Sequence, residues 1–368
     1  MSACDYNIVM VKNIISYLND YGKYTFKEKP FNEVDNACIC QMFYSDIDEY
    51  FKYKKEYTIK ELAALLFFDN DEKELNKSKS LIAGAPFVLK AMAKSNRYKD
   101  TILTNFLLID DESKDELFCA GELKIDNKTS YIVYRGTKDT VTSWKESFSL
   151  IYKKTASHID ADKYLKKTIK KDRLYYVGGH SKGGTMASYA AILNPQCHKN
   201  IIKVFSNDGP GLNPKIMPKN YHDNFKTLQG KFVKIIPEFD IFGTIFSSSR
   251  EKRVIKADAV ALRQHDIMHW MIDNDKFIDG KPLKRVEVLR KAFEDYANNI
   301  SDEEFKLFLN NYADLLKKHG INKINGGLNG MFPFIVTSLS SVPTMSENSK
   351  KVTTYLIKIL LKEKSLMK

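Results

Sequence analysis

A chain of 368 residues, 43% of them hydrophobic, holds enough apolar material for one large α/β domain with additions or for two domains. Its net charge of +12, 58 Lys and Arg against 46 Asp and Glu, is spread along the chain and favours solubility with a weak pull towards anionic surfaces or substrates. No apolar run reaches the ~18 residues of a membrane span, Met1-Ser2-Ala3-Cys4-Asp5 does not begin a signal peptide, and no zinc-finger, RNA-recognition or helix-turn-helix pattern points to nucleic acid.

Val9 to Leu18 has helical spacing, and Phe31-Asn32-Glu33-Val34-Asp35-Asn36 opens a second helix running towards Tyr44. Cys38 and Cys40 lie in its apolar run and read as core. With Cys4, Cys119 and Cys197 the cysteines are odd in number and lack metal-ligand spacing, which suits free thiols in a reducing cytoplasm and predicts neither a metal nor another cofactor. Thr58 with Glu61 three residues on makes a capping box before Leu62 to Phe68. Leu81 to Ala93 continues helical, with Pro86 as a break or bend. The first hundred residues are thus mostly helix, and their many Tyr and Phe read as core packing.

The pattern then turns to strands. Thr104 to Asp110, Leu117 to Leu123 and Ser130 to Tyr134 are short β-rich runs between charged turns, as at the antiparallel edge of a mixed sheet. A helix over about Asp160 to Lys170 precedes a strand from Arg173. Further strands follow at Ile201 to Ser206, Lys231 to Ile236 and Arg253 to Ala257, alternating with helix in the manner of parallel βαβ units.

Within that series Tyr175-Tyr176-Val177-Gly178-Gly179-His180-Ser181-Lys182-Gly183-Gly184 runs a strand into a G-x-S-x-G pentad and then into a helix over Thr185 to Leu193. Such a strand–turn–helix exposes a nucleophilic serine at the top of a sheet, and the turn is tight enough to need glycine two residues before and two after it. The Lys182 N–H then faces the place where an oxyanion forms. An acid two strands later, Asp240, and a histidine after the next strand, His265, complete the order Ser…Asp…His. A serine hydroxyl needs an imidazole to take its proton, and the imidazole needs a carboxylate to fix its tautomer. Asp208, in the turn-like Asp208-Gly209-Pro210-Gly211, is a rival acid, and His269, one helical turn beyond His265, a rival base.

The segments Pro30 to Asn36, Tyr134-Arg135-Gly136-Thr137 with Trp144-Lys145-Glu146, Gly179 to Gly184, Asp208 to Gly211, and Gln264-His265-Asp266 with Trp270 carry a resemblance over roughly residues 10 to 275. Together they resemble the bacterial Mbeg-like α/β-hydrolases, distantly similar to the class 3 (fungal-type) lipases. The resemblance implies an α/β-hydrolase fold, Ser181 as nucleophile and His265 as base. It implies an oxyanion-hole donor at Thr137 and a lid over about Lys138 to Ser157. Asp240 followed by Ile241 looks like the lipase acid segment. Lipases usually have an apolar residue after the nucleophile; Lys182 stands there instead and points to polar or anionic substrate parts.

Past about Asp279 the resemblance ends, which divides the chain into a hydrolase domain over 1–279, with its N-terminal helices, and a helical extension over 280–368. Lys284 to Asn298 and Asp302 to Lys318 are amphipathic, the second opened by Ser301 with Glu304 three residues on. Gly326 to Pro333 reads as a connector. The tail Lys350 to Lys368 is a basic amphipathic helix with Tyr355, Leu356, Ile359 and Leu360 on or near one face, suited to packing on the body of the protein or to peripheral contact with an anionic membrane.

The fold expected is α/β: an α/β-hydrolase with a mixed, mostly parallel sheet, a helical N-terminal region and an added C-terminal helical segment. The function expected is that of a cytoplasmic serine hydrolase acting on a carboxylic ester or thioester through an acyl-enzyme. Two other readings stay open: a binding or scaffold protein on the same fold with weak or no catalysis, and an acyltransferase or peptidase using the same triad.

Overall fold

The computed structural model describes residues 12–366 apart from 79, 81, 218, 248–251 and 320–335. An eight-stranded sheet runs in chain order from β1 to β8: Tyr57–Thr58, Ile102–Asp111, Glu116–Lys124, Thr129–Tyr134, Leu174–His180, Ile201–Asn207, Phe232–Pro237 and Lys252–Ile255. The pairs from β1 to β4 are antiparallel and those from β4 to β8 parallel, the mixed α/β-hydrolase architecture. Parallel strands laid down in chain order by right-handed crossovers send their connections over one face of the sheet. Residues on β4 alternate accordingly. Ile132 and Tyr134 pack with helices α7 (Ala156–Thr168) and α8 (Lys182–Leu193). Tyr131 and Val133 pack on the other face against α1 (Ile14–Tyr21), α2 (Glu33–Met42), α3 (Ile59–Asp69) and α5 (Ala85–Lys94), which follows the short α4 (Glu72–Asn76).

Local signals explain most boundaries. The Asn13 side chain accepts from Ile15 and Ser16 N–H and starts α1 at Ile14; the residues before Lys12, where the helical spacing begins, lie outside those described. Thr58 and Glu61 form the capping box of α3, and Ser301 and Glu304 that of α11 (Asp302–Lys318). Pro86 does not break its helix. It sits in the first turn of α5, where its missing N–H would have had no intrahelical acceptor. In the N-terminal layer the Arg97 guanidinium pairs with Asp35, both side chains fully buried, and Tyr17 and Tyr98 donate to the same carboxylate at 2.9 and 2.6 Å. Cys38, Cys40, Cys119 and Cys197 are free and buried.

Helix α6 (Val141–Tyr152) occupies the stretch expected as a lid, and α9 (Tyr221–Thr227) precedes β7. The C-terminal helices α10 (Lys284–Asn299), α11 and α12 (Glu347–Leu366) share an apolar cluster with Tyr152 of α6 and with Phe239, Ile241 and Ile245 after β7. Along α12 the expected Leu356 and Leu360 are buried and Ile359 packs on the same cluster, joined by Ile357, whereas Tyr355 at the margin of that face is 47% exposed. The connector Gly326 to Pro333 lies outside the described residues. No described helix is long and apolar enough to cross a membrane.

Candidate active site

Ser181 stands between the end of β5 and the start of α8 with φ 56° and ψ −128°, a backbone conformation that L side chains rarely adopt. Its neighbours hold it there. Ser181 N–H donates to the Asn207 carbonyl at 2.9 Å, and its own carbonyl accepts from Gly184 N–H at 2.9 Å. The flanking glycines are demanded by close backbone approach: a Cβ on Gly179 would stand 2.3 Å from the Gly183 carbonyl carbon, and one on Gly183 2.0 Å from the Tyr134 oxygen. Lys182 is the first residue of α8, so its N–H has no intrahelical acceptor.

Ser181 and His265 line one narrow cavity of about 60 Å³, together with Thr137, Lys182, Trp144, Phe148 and Phe242. Helix α6 supplies Trp144, Ser147, Phe148, Leu150 and Ile151 to its wall, and the Thr137 hydroxyl lies 2.5 Å from that of Ser147. No hydrogen bond joins Ser181 Oγ to the imidazole in this structure; in unliganded enzymes that contact commonly tightens only with substrate.

The carboxylate on the histidine is not the expected one. His265 Nδ1 lies 2.7 Å from Asp208 Oδ2. Asp208 leaves β6 in a left-handed conformation, φ 51°, which turns its side chain under the imidazole. Asp240 instead curls over its own turn, accepting from Phe242 N–H at 2.9 Å and from Gly243 N–H. Burial raises both acids: Asp208 is pushed up to about 7, partly offset by the neighbouring Asp240 carboxyl and the charge of Lys234, and Asp240 goes well above the usual carboxylate range. Burial lowers the pKa of His265. The rival base His269 is bound to Asp258 at 2.8 Å, half-exposed, and is not among the residues lining the cavity.

His180, which sequence reasoning left without a role, braces the site. Its Nε2 lies 2.8 Å from the His265 carbonyl oxygen and so donates, which leaves Nδ1 to accept from the Tyr44 hydroxyl at 2.9 Å. The loop carrying His265 is also pinned from below: Trp270 Nε1–H donates to the Gln264 carbonyl at 2.9 Å, and Gln264 Oε1 accepts from Phe239 N–H at 2.8 Å. Ring nitrogens of His180 and His265 and a carboxylate oxygen of Asp208 come within 4.8 Å of one another, a spacing compatible with a metal ion. Both nitrogens of His180 are already committed, so the cluster reads as a hydrogen-bonded relay.

The Lys182 side chain does not face the cavity as expected. It turns into the protein, where Nζ donates to Leu117 O at 2.6 Å and to Glu146 Oε2 at 2.8 Å. The wall is therefore more apolar than the sequence suggested.

The Mbeg1-like family matches this chain over residues 92–314, more than half of its length. The match opens in α5 and closes within α11, later at both ends than the segments noted in the sequence. No curated protein matches. Among solved structures, lipase II from Rhizopus niveus is similar at 19% identity over 41% of this chain, with a TM-score of 0.29; the chain spans 64% of that lipase's length. A mutant form of MDLA from Penicillium cyclopium is similar at 13% identity, over 67% of this chain and 89% of that one, with a TM-score of 0.40.

Proposed function

This chain belongs to the Mbeg1-like family, and from that premise and the site above we propose that it is a serine hydrolase cleaving a carboxylic ester or thioester. Ser181 Oγ attacks the acyl carbon, and His265 Nε2, free to accept because Nδ1 is turned to Asp208, takes the proton and returns it to the leaving group. The Lys182 N–H at the start of α8, with a donor from Thr137, holds the oxyanion. Water then releases the acyl group by the same route.

The single observation that carries this reading is Ser181 in its left-handed turn, lining one cavity with an imidazole held by a buried carboxylate. Trp144, Phe148, Ile151 and Phe242 favour an apolar acyl part, and about 60 Å³ leaves room for a short one, against the ~300 Å³ or more of a typical ligand pocket. A fluorophosphonate probe tests the proposal: it should label the wild type and not Ser181→Ala. Equal labelling of the two would refute it. A screen of p-nitrophenyl esters and acyl thioesters then gives the acyl length, with short chains expected to turn over fastest.

A further inference from the structure

One carboxylate suffices to orient His265, yet two are buried beside it. Asp208 leaves β6 and Asp240 follows β7, neighbouring parallel strands, so the two acids meet at one edge of the sheet. Both press on Gly243: a Cβ there would stand 2.4 Å from Asp208 Oδ1 and 2.7 Å from Asp240 Oδ2. Their donors are unequally shared. Asp208 Oδ2 takes the His265 N–H, while Asp208 Oδ1 is buried with no well-formed hydrogen bond among the described residues, the Gly243 N–H that serves Asp240 lending it only a secondary pull. Both oxygens of Asp240 are served by main-chain amides. The one hydrogen the cluster lacks belongs between the two carboxyls, because a buried carboxylate oxygen without a donor is costly and adjacent carboxylates do not both ionise.

The charge has reasons to sit on Asp208. The imidazole of His265 touches it, and Lys234 of β7, which donates to the neighbouring Gly209 carbonyl, lends it a positive field. The titratable groups acting on Asp240 are Asp208 and His265, and it acts in turn on Lys252 of β8, whose pKa burial lowers.

We infer that Asp240 is a positioning residue working as a neutral carboxylic acid, which donates its hydrogen to Asp208 Oδ1 and leaves the negative charge on the edge of Asp208 that faces His265. The inference rests on the serine-hydrolase reading for its catalytic consequence, though not for the proton itself. The directions of ionisation agree with it, since burial and the Asp208 charge both raise Asp240. No proton leaves the pair during turnover. His265 alone accepts from Ser181 and gives back, and the two acids together keep one negative charge throughout.

The test compares three variants of the full chain by the rate of fluorophosphonate labelling at Ser181 from pH 5 to 9. Asp240→Asn keeps a neutral N–H donor towards Asp208 while giving up one of the two main-chain amide contacts, and should label within about tenfold of wild type, far above Asp208→Asn. Asp208→Asn puts a donor against His265 Nδ1, favours the wrong tautomer and should fall by ~10⁴-fold. Asp240→Ala removes the donor from Asp208 and should move the acidic limb to higher pH, with Asn restoring it, which a packing role alone does not predict. Asp240→Asn collapsing as far as Asp208→Asn would overturn the inference and make Asp240 the charged member. If wild type fails to label, the hydrolase reading falls, and infrared difference spectra decide the proton separately. Wild type minus Asp240→Asn at neutral pH should show the C=O band of a buried protonated carboxyl, and its absence sinks the inference; this readout also stands if the alanine variant does not fold.

Discussion

Breaking the buried pair between Lys182 and Glu146 should unfold more of the molecule's stability than any surface change. Both side chains are 1% exposed, and among the described residues the partners of Lys182 Nζ are Glu146 Oε2 and the Leu117 carbonyl. Lys182→Met leaves Glu146 in the interior without its counter-charge, with the Leu117 N–H at 3.1 Å and the Ser157 hydroxyl as its remaining donors. Truncating one member of so buried a pair costs about 3–5 kcal/mol, because the survivor stays desolvated and unpaired. Glu146→Leu should cost a similar amount by stranding the ammonium. Lys182→Met with Glu146→Leu removes both charges, so the double variant should lose about 2–3 kcal/mol less than the two singles summed. Guanidinium unfolding followed by far-UV circular dichroism reads these differences as midpoint shifts at constant slope. The acid dependence has a definite sign. Burial works to raise Glu146, but the Lys182 charge outweighs it and the net pKa is lowered. A lowered acid stabilises above its unfolded value and loses that contribution as pH falls through its folded one. The gap between wild type and Lys182→Met should therefore narrow on acidification below the ordinary glutamate range. Singles that each cost under ~1 kcal/mol, or strict additivity, would refute the account of this pair.

Three further outcomes are expected. Gly183→Ala drives a Cβ to 2.0 Å from the Tyr134 carbonyl oxygen, a main-chain atom that cannot yield, so probe labelling of Ser181 should vanish and the melting temperature should drop; wild-type labelling would contradict it. The proposed mechanism requires Asp208 ionised, and since burial lifts that acid to about 7, kcat/KM should fall roughly tenfold per pH unit below ~7; a profile flat to pH 5 would rule this out, the apparent value belonging to the coupled cluster of Asp208, Asp240 and His265. The Tyr152 hydroxyl lies 2.9 Å from Ile300 O and 2.7 Å from Asp302 Oδ1, tying α6 to the C-terminal helices. Tyr152→Phe should speed hydrogen exchange around residues 300–305 by about tenfold, the equivalent of ~1.4 kcal/mol, and unchanged exchange would show that the tie carries no weight.

The features legible in the sequence are those governed by neighbours along the chain. Capping boxes at Thr58 and Ser301 act across three residues, strand alternation acts across two, and the glycines around Ser181 answer to one turn. His180 shows the limit: it adjoins the nucleophile, yet its partner Tyr44 sits 136 positions earlier, after α2, with nothing local to mark it.

The sequence by itself determined a mixed α/β fold, a serine on a tight turn and a histidine after the last strand of the main sheet, because period, cap and turn chemistry are short-ranged. Only the tertiary structure decided which acid meets His265 and where Lys182 points. Asp208 and Asp240 follow adjacent strands to the same sheet edge, so the choice between them depends on a left-handed turn at one and a curled loop at the other. Lys182 turns inward because Glu146, 36 residues earlier on α6, lies buried within its reach, and a charge in the interior goes to its counter-charge wherever the fold has put it.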